Sequence, residues 1–184
     1  MLCFEPIFGL QEENTVSKEL VCCFTGHRDI DDKMLLCIPA VLKPLLWGLS
    51  ERGVKIFRAG GARGFDNIAS LNVMLLKTKS DGVRLDLMLP CPDQDTKWKW
   101  RDKRDFRRVI SGADSIVYAE ESYTRDCYHK RNRMLVDGSD FCIAYYDGGP
   151  SGTGYTVDYA MRKGVYVINI YPMVLEECQR RYGK

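Results

Sequence analysis

Short apolar runs alternate with amphipathic stretches along the whole chain. The continuous apolar run Leu20–Phe24 predicts a buried strand, and between the runs apolar residues recur at the three-to-four spacing of a helix face. Pro39 and Pro44 inside the first such stretch predict a kink or a late helix start. Further strands are predicted at Val54–Ala59, Arg84–Pro90, Ser115–Tyr118, Asp140–Tyr146 and Val165–Ile170, and helices at Asp31–Ser50, Asp66–Lys77, Thr96–Ser111, Tyr128–Gly138, from the Gly148 loop to Lys163, and Met173–Tyr182.

This order of segments predicts an α/β fold. Parallel neighbours need crossover connections, so strands that alternate with helices indicate a mainly parallel sheet with helices on both faces. We expect one Rossmann-like, doubly wound domain over residues 20–184, preceded by an N-terminal extension over residues 1–19. In such folds ligands bind beyond the carboxyl ends of the strands, so the loops that follow strands are the places to search for a site.

Charge and hydrophobicity exclude some classes of protein. The 27 Lys and Arg residues nearly balance the 25 Asp and Glu residues, so net charge does not indicate a polyanionic partner. No apolar run approaches the roughly 20 residues of a membrane span, and the first ten residues lack the basic start of a secretory signal. We therefore expect a cytoplasmic protein.

The eight cysteines are scattered through the chain and form no CxxC motif. Only two histidines are available to complete a metal site with them. This pattern predicts reduced thiols in the core and no metal site.

Two glycine-rich turns follow predicted strands and precede predicted helices. Glycine lets the backbone approach an anion, and the helix that follows supplies free N–H groups. The second turn adds hydroxyls from Ser151 and Thr153, although it matches neither the Walker A pattern nor GxGxxG. The second turn is the stronger candidate. For the first turn the alternative is a common structural connection between strand and helix, and for the second it is a flexible turn. The candidate ligand contacts are Gly60, Gly61, Arg63, Gly64 and Asp66 in the first turn, and Gly148, Gly149, Ser151, Gly152 and Thr153 in the second.

Three further segments offer polar groups at the same edge. Imidazole, guanidinium and amide groups recognise phosphate or ribose, and tyrosine or tryptophan rings stack on bases. Each of these segments has a purely structural alternative as a capped or solvated turn. The candidates are Thr25, Gly26, His27 and Arg28 after the first strand, Gln94 and Trp98 after the third, and Tyr128, Arg131 and Asn132 at the start of a helix.

A basic segment from Lys97 to Arg108 is interleaved with aromatic residues. Such a pattern suits single-stranded nucleic acid, because cations meet phosphates and rings stack on bases. Asp102 and Asp105 dilute the charge, so a solvated helix face with a core-facing tryptophan is the competing interpretation. The cations are Lys97, Lys99, Arg101, Lys103, Arg104, Arg107 and Arg108, and the aromatic residues are Trp98, Trp100 and Phe106.

Taken together, these motifs resemble the SLOG superfamily of Rossmann-like proteins, and within it the YpsA-type domain of unknown function. The resemblance covers roughly Leu20 to Ile170 and includes Leu89-Pro90 and Tyr159-Ala160 besides the loops described above. It implies a pocket for a nucleotide or a nucleotide-derived ligand. The relatives include cytokinin-activating phosphoribohydrolases, the single-stranded-DNA-binding DprA proteins and sensor domains for signalling nucleotides.

The same resemblance bears on catalysis. In the phosphoribohydrolases an Arg-Lys pair precedes a strand, and a catalytic glutamate follows the glycine loop. Arg131 corresponds to that arginine, Asn132 replaces the lysine, and Thr156 stands at the glutamate position. Threonine cannot act as a carboxylate base. Asp158 and Asp66 remain the candidates for an acid or base.

The leading hypothesis is a cytoplasmic SLOG-type protein that binds a nucleotide or an ADP-ribose-like ligand, as a nucleotide sensor. An N-glycosidic hydrolase of nucleotides and a DprA-like single-strand binder are the alternatives. No cofactor is predicted, and a homodimer is a further expectation.

Overall fold

A computed structural model describes residues 19–183 and contains a six-stranded sheet in which every pairing is parallel. The expected extension over residues 1–19 lies almost entirely outside the described residues. The strands are β1 (Leu20–Gly26), β2 (Val54–Ala59), β3 (Arg84–Leu89), β4 (Ser115–Tyr118), β5 (Phe141–Tyr145) and β6 (Tyr166–Asn169). The helices are α1 (Asp32–Glu51), α2 (Phe65–Lys77), α3 (Trp100–Gly112), α4 (Cys127–Val136), α5 (Gly152–Arg162) and α6 (Tyr171–Tyr182).

The strands order as β4-β3-β2-β1-β5-β6. From β1 the chain steps outward through β2 and β3 to β4, then crosses back to place β5 on the other side of β1. The strand order therefore reverses between β1 and β5, which is the switch point where open α/β sheets bind ligands. The doubly wound α/β fold predicted from the sequence is confirmed.

Helices cover both faces of the sheet, as alternate residues of one strand demonstrate. Phe24 points into the large core formed with α1, α2, α3 and α6, whereas Cys23 points into a smaller core formed with α4 and α5. Successive side chains of a strand lie on opposite faces, so a strand covered on both sides needs a continuous apolar run. This requirement explains the run Leu20–Phe24.

The helix starts follow local hydrogen-bonding rules. The Asp31 side chain accepts from the Lys33 N–H at 2.9 Å, so α1 begins at Asp32 and the two prolines inside it do not delay its start. Helix α3 starts four residues later than expected, at Trp100. Residues 93–98 instead form turns, in which Asp93 O accepts from both the N–H and the hydroxyl of Thr96.

Within residues 19–183, α1 is the one helix long and apolar enough to span a membrane by length and composition. The sequence had not predicted such a segment. The buried residues of α1 include Ile38, Leu42, Leu46 and Leu49, which belong to the large core. A buried helix of a protein core meets the same criterion, so this finding is weak evidence for a membrane span.

Candidate functional site at the sheet switch point

A cleft of about 480 Å³ opens where the strand order reverses. Its lining comes from the end of β1 and the loop after it, from α4, from the start of α5, and from Ala62 and Asp66. Its volume falls within the ~300–1,000 Å³ typical of small-molecule sites. The residues that line it are Phe24, Thr25, Gly26, His27, Arg28, Ala62, Asp66, Tyr128, His129, Arg131, Asn132, Leu135, Ser151, Gly152 and Thr153.

The loop after β1 is tied to the loop after β5 through His27. Its Nε2 lies 3.0 Å from Asp147 Oδ1 and 3.2 Å from the Asp147 backbone nitrogen. Nε2 therefore either carries a proton and donates to the carboxylate, or accepts from the N–H. The Gly149 N–H, followed by the imidazole, holds the pKa of Asp147 below its ordinary value. The contact fixes two sides of the cleft relative to each other.

The second glycine turn leads into the N-terminus of α5. Ser151 caps this helix by accepting from the Gly154 N–H at 3.1 Å, and its hydroxyl donates to Gly149 O. The first amides of a helix have no carbonyl partner within the helix and lie at the positive end of its dipole. Since Ser151, Gly152 and Thr153 line the cleft, the start of α5 offers it an anion-binding end.

Helix α4 contributes Arg131 to the lining of the cleft. Its Nη1 lies 3.4 Å from Asp66 Oδ2, and both side chains are almost fully buried, at 5% and 6% exposure. Burial raises the pKa of Asp66, although Arg131 and the Ala62 N–H oppose the rise. Among the described residues, the buried Nε of Arg131 has no hydrogen-bond partner. The guanidinium therefore keeps donor capacity that its one carboxylate does not use.

The glycines of the first turn lie against protein rather than in the cleft. A Cβ on Gly60 would collide with the Arg131 guanidinium, and one on Gly61 would lie 2.5 Å from Leu89 Cδ2. Gly64 adopts φ +74° beneath the backbone carbonyls of His27 and Arg28. These glycines permit close packing, and the turn reaches the cleft only through Ala62, with Asp66 following at the start of α2.

Three predicted ligand contacts line a smaller chamber next to the cleft. Arg63, Gln94 and Trp98 surround this space, which shares Arg28, Ala62 and Tyr128 with the main cleft. The Arg28 guanidinium lies 5.1 Å from the centre of the Tyr128 ring, so this cation–π pair stands between the two spaces.

The remaining candidates lie outside the cleft lining. Gly148 and Gly149 belong to the same loop as Ser151 but do not line the cleft. Asp158 is exposed on α5 and does not line it either. Thr156 is buried inside α5, where its hydroxyl donates to Gly152 O at 3.0 Å. No group of three or more potential metal ligands occurs among residues 19–183.

Three residues of the site are not among the ligand contacts predicted from the sequence. Ala62 lies in the first glycine-rich turn, His129 lies on α4 next to Tyr128, and Asp147 opens the loop that contains the second turn. Asp147 directly follows a strand at the switch point, so the rule for ligand sites in parallel sheets could have identified it. Ala62 offers no chemical signal in the sequence, because its contribution is backbone position.

The fold and its switch-point cleft define a Rossmann-like α/β protein. The YpsA family model, described as the YspA SLOG family, matches residues 22–172, and the chain belongs to this family. The resemblance to the SLOG superfamily inferred from the sequence motifs is thereby confirmed.

Two relatives in sequence carry names that state no activity. The chain is 30% identical over 145 residues to the uncharacterised SPbeta prophage-derived protein YoqJ of Bacillus subtilis, covering 72% of this chain and 81% of YoqJ. It is 24% identical over 131 residues to a UPF0398 protein of Bacillus thuringiensis, covering 70% and 71% of the two chains.

Solved structures of DNA processing protein A (DprA) share the fold. The protein from Streptococcus pneumoniae superposes with a TM-score of 0.61 at 18% identity, over 89% of this chain but only 56% of the DprA chain. The Helicobacter pylori protein, described with a single-stranded DNA binding mode, gives a TM-score of 0.59 at 17% identity, over 88% and 74%. The likeness extends to architecture and leaves much of the pneumococcal protein without a counterpart here.

Proposed function

We propose that the chain binds a nucleotide or nucleotide-derived ligand in the switch-point cleft, with a phosphate at the start of α5. One observation carries the proposal: the N-terminal residues of α5 and a buried arginine with unused donor capacity line the same cleft. Helix amides recognise phosphate without a fixed charge, and a guanidinium adds directed, charge-assisted bonds.

The other groups in the cleft suit the rest of a nucleotide. Tyr128 offers an aromatic face, and Asn132 offers both a donor and an acceptor for a ribose or a base edge. His27 contacts Asp147 and lines the same wall. We therefore assign binding to these residues. Sensing of a nucleotide, a cytoplasmic location and a homodimer remain predictions.

Binding is favoured over hydrolysis of an N-glycosidic bond. By the resemblance to the phosphoribohydrolases, Thr156 stands where they carry a catalytic glutamate, and it is hydrogen-bonded inside α5, away from solvent. Asp158 is exposed outside the cleft lining, and Asp66 is held by Arg131. A general acid or base needs access to the proton that it transfers, and a buried ion pair restricts that access.

A substitution at Gly152 tests the phosphate position directly. A Cβ on Gly152 meets nothing within 4 Å, and an acidic side chain in the first turn favours a helix. Gly152→Asp should therefore fold normally yet repel a phosphate at the same amides. By calorimetric titration with AMP, we expect Gly152→Asp to weaken binding about tenfold or more, because a carboxylate beside the phosphate opposes it by over 1 kcal/mol.

The matched control is Gly152→Asn, which has the same shape without the charge. We expect it to keep most of the wild-type affinity for AMP. Equal affinity of Gly152→Asp and the wild type would place the phosphate away from α5. No binding of AMP, ADP or inorganic phosphate by the wild type would overturn the proposed function.

A second candidate function, binding of single-stranded nucleic acid, is favoured by the surface of α3. Trp100 is 71% exposed with Arg104 stacked over its ring at 5.2 Å, and Arg107 and Arg108 are also exposed. Exposed rings and cations of this kind suit unpaired bases and phosphates. Oligonucleotide binding with a steep salt dependence, lost in Arg104→Gln/Arg107→Gln/Arg108→Gln, would support this function.

A further inference from the structure

We propose that the chamber beside the cleft binds a second anionic group, so that the ligand carries phosphates at two separated positions. This inference rests on the proposed function, in which the first phosphate binds at the start of α5. The chamber holds about 190 Å³ and shares Arg28, Ala62 and Tyr128 with the cleft. One molecule can therefore extend from the cleft into the chamber past the Arg28–Tyr128 pair.

The charge of the chamber carries the assignment. Four of the residues that line it are cations, namely Arg28, Arg63, Lys97 and Lys99. Like charges gathered around a small space repel one another unless an anion lies between them. No carboxylate lines the chamber. This cluster therefore indicates an anionic occupant rather than a neutral sugar or base.

The neighbouring carboxylates offset only part of this charge. Arg63 lies 3.6 Å from Asp102 and 4.0 Å from Asp29, so its charge is partly compensated. Among residues 19–183, no ion pair within 4.0 Å involves Lys97 or Lys99. The two lysines are thus available to a ligand.

Secondary structure adds to the positive potential. Lys99 is the residue that precedes α3, so the chamber lies at the positive end of a helix of 13 residues. The floor is rigid on one side, because buried Gln94 donates to Gly61 O at 3.2 Å and the Trp98 ring packs on Phe106 with centroids 5.2 Å apart. Gln94 and Trp98 of the lining are therefore anchored to neighbouring residues.

Calorimetric titration with three probes tests this inference. AMP carries one phosphate, ADP carries two adjacent phosphates, and adenosine 3′,5′-bisphosphate carries two on opposite sides of the ribose. We expect the bisphosphate to bind the wild type about tenfold more tightly than AMP, as a further charge-assisted contact would give. ADP should gain less, because its second phosphate stays close to the first.

The variant Lys97→Gln/Lys99→Gln should lose the preference for the bisphosphate and keep the wild-type affinity for AMP. The control is Arg107→Gln/Arg108→Gln, which removes the same charge from exposed positions of α3 outside the chamber, and it should keep the preference. Equal affinities of the wild type for AMP and the bisphosphate would overturn the proposed anion site in the chamber. Loss of the preference in both variants would overturn it too. Absence of AMP binding would overturn the cleft function as well, so the two failures are distinguishable.

Discussion

Replacement of Arg131 by methionine isolates the buried ion pair under the cleft. The pair joins Arg131 Nη1 to Asp66 Oδ2 at 3.4 Å, with both side chains almost inaccessible to water. Methionine fills much of the space but leaves the Asp66 carboxylate with the backbone amide of Ala62 as a remaining donor, at 3.3 Å. Removing one partner of a buried pair costs about 3–5 kcal/mol, because the other charge stays buried. For a domain of this size, that loss lowers Tm by roughly 10 °C.

The loss should depend on pH in a defined direction. Burial raises the pKa of Asp66 and Arg131 opposes the rise, so the substitution raises the pKa further. Between the ordinary carboxyl pKa of about 4 and the raised value, the folded state binds more protons than the unfolded state, and stability falls as pH increases. Because the pKa of Asp66 is already raised in the wild type, the deficit of Arg131→Met changes only between the two raised values. It is largest above the raised pKa of the variant and shrinks as the pH falls toward the lower, also raised, pKa of the wild type.

Urea denaturation of the ligand-free protein across this pH range measures the effect. The double variant Asp66→Asn/Arg131→Met should be more stable at neutral pH than Arg131→Met, because no uncompensated charge is buried. Arg133→Met is the matched control, since Arg133 lies on the same helix but is partly exposed and pairs with Asp126 at the surface. A loss below about 1 kcal/mol in Arg131→Met, the level of a surface pair, without pH dependence would refute the reasoning.

Three smaller predictions follow from individual contacts. Gly64→Ala should destabilise the fold by at least about 2 kcal/mol in urea denaturation, because a Cβ at φ +74° would be strained and would meet the Arg28 carbonyl, and an unchanged midpoint would contradict this. Burial alone would raise the pKa of Asp114, but hydrogen bonds from Lys77 and the Leu85 N–H lower it. Asp114→Asn should therefore lose stability at neutral pH, and its difference from the wild type should shrink as the pH falls from about 4 through the lowered pKa of Asp114, whereas a constant difference would count against the pairing. Thr156→Val should lower the free energy of unfolding by about 1 kcal/mol, because the hydrogen bond to Gly152 O is lost, and it should leave the affinity for AMP unchanged. A large loss of affinity would show that Thr156 contributes to the binding site.

The sequence was sufficient for the fold because the signal is spread over many residues. Apolar runs such as Leu20–Phe24 occur only where both faces of a strand are covered, and the intervening helix periodicity leaves few alternatives to a parallel sheet. The start of α3 was misplaced because the turn at Asp93 and Thr96 competes with helix through its own hydrogen bonds. Such competition depends on local geometry that periodicity does not report.

The site was less predictable than the fold, and its two glycine turns explain why. Composition cannot distinguish a glycine that approaches a ligand from one that approaches protein. The turn around Gly152 opens onto the cleft, whereas Gly60 is required by the Arg131 guanidinium packed against it. Pairing of Arg131 with Asp66, 65 positions earlier, likewise depends on the tertiary fold.

The central claim is that a phosphate binds at the start of α5, and backbone amide shifts measure this contact directly. In ¹H–¹⁵N spectra recorded during titration with AMP, the largest changes should occur at Gly152 and Thr153 and along Tyr128 to Asn132. Changes confined to the surface of α3, or no changes at saturating AMP, would contradict the account.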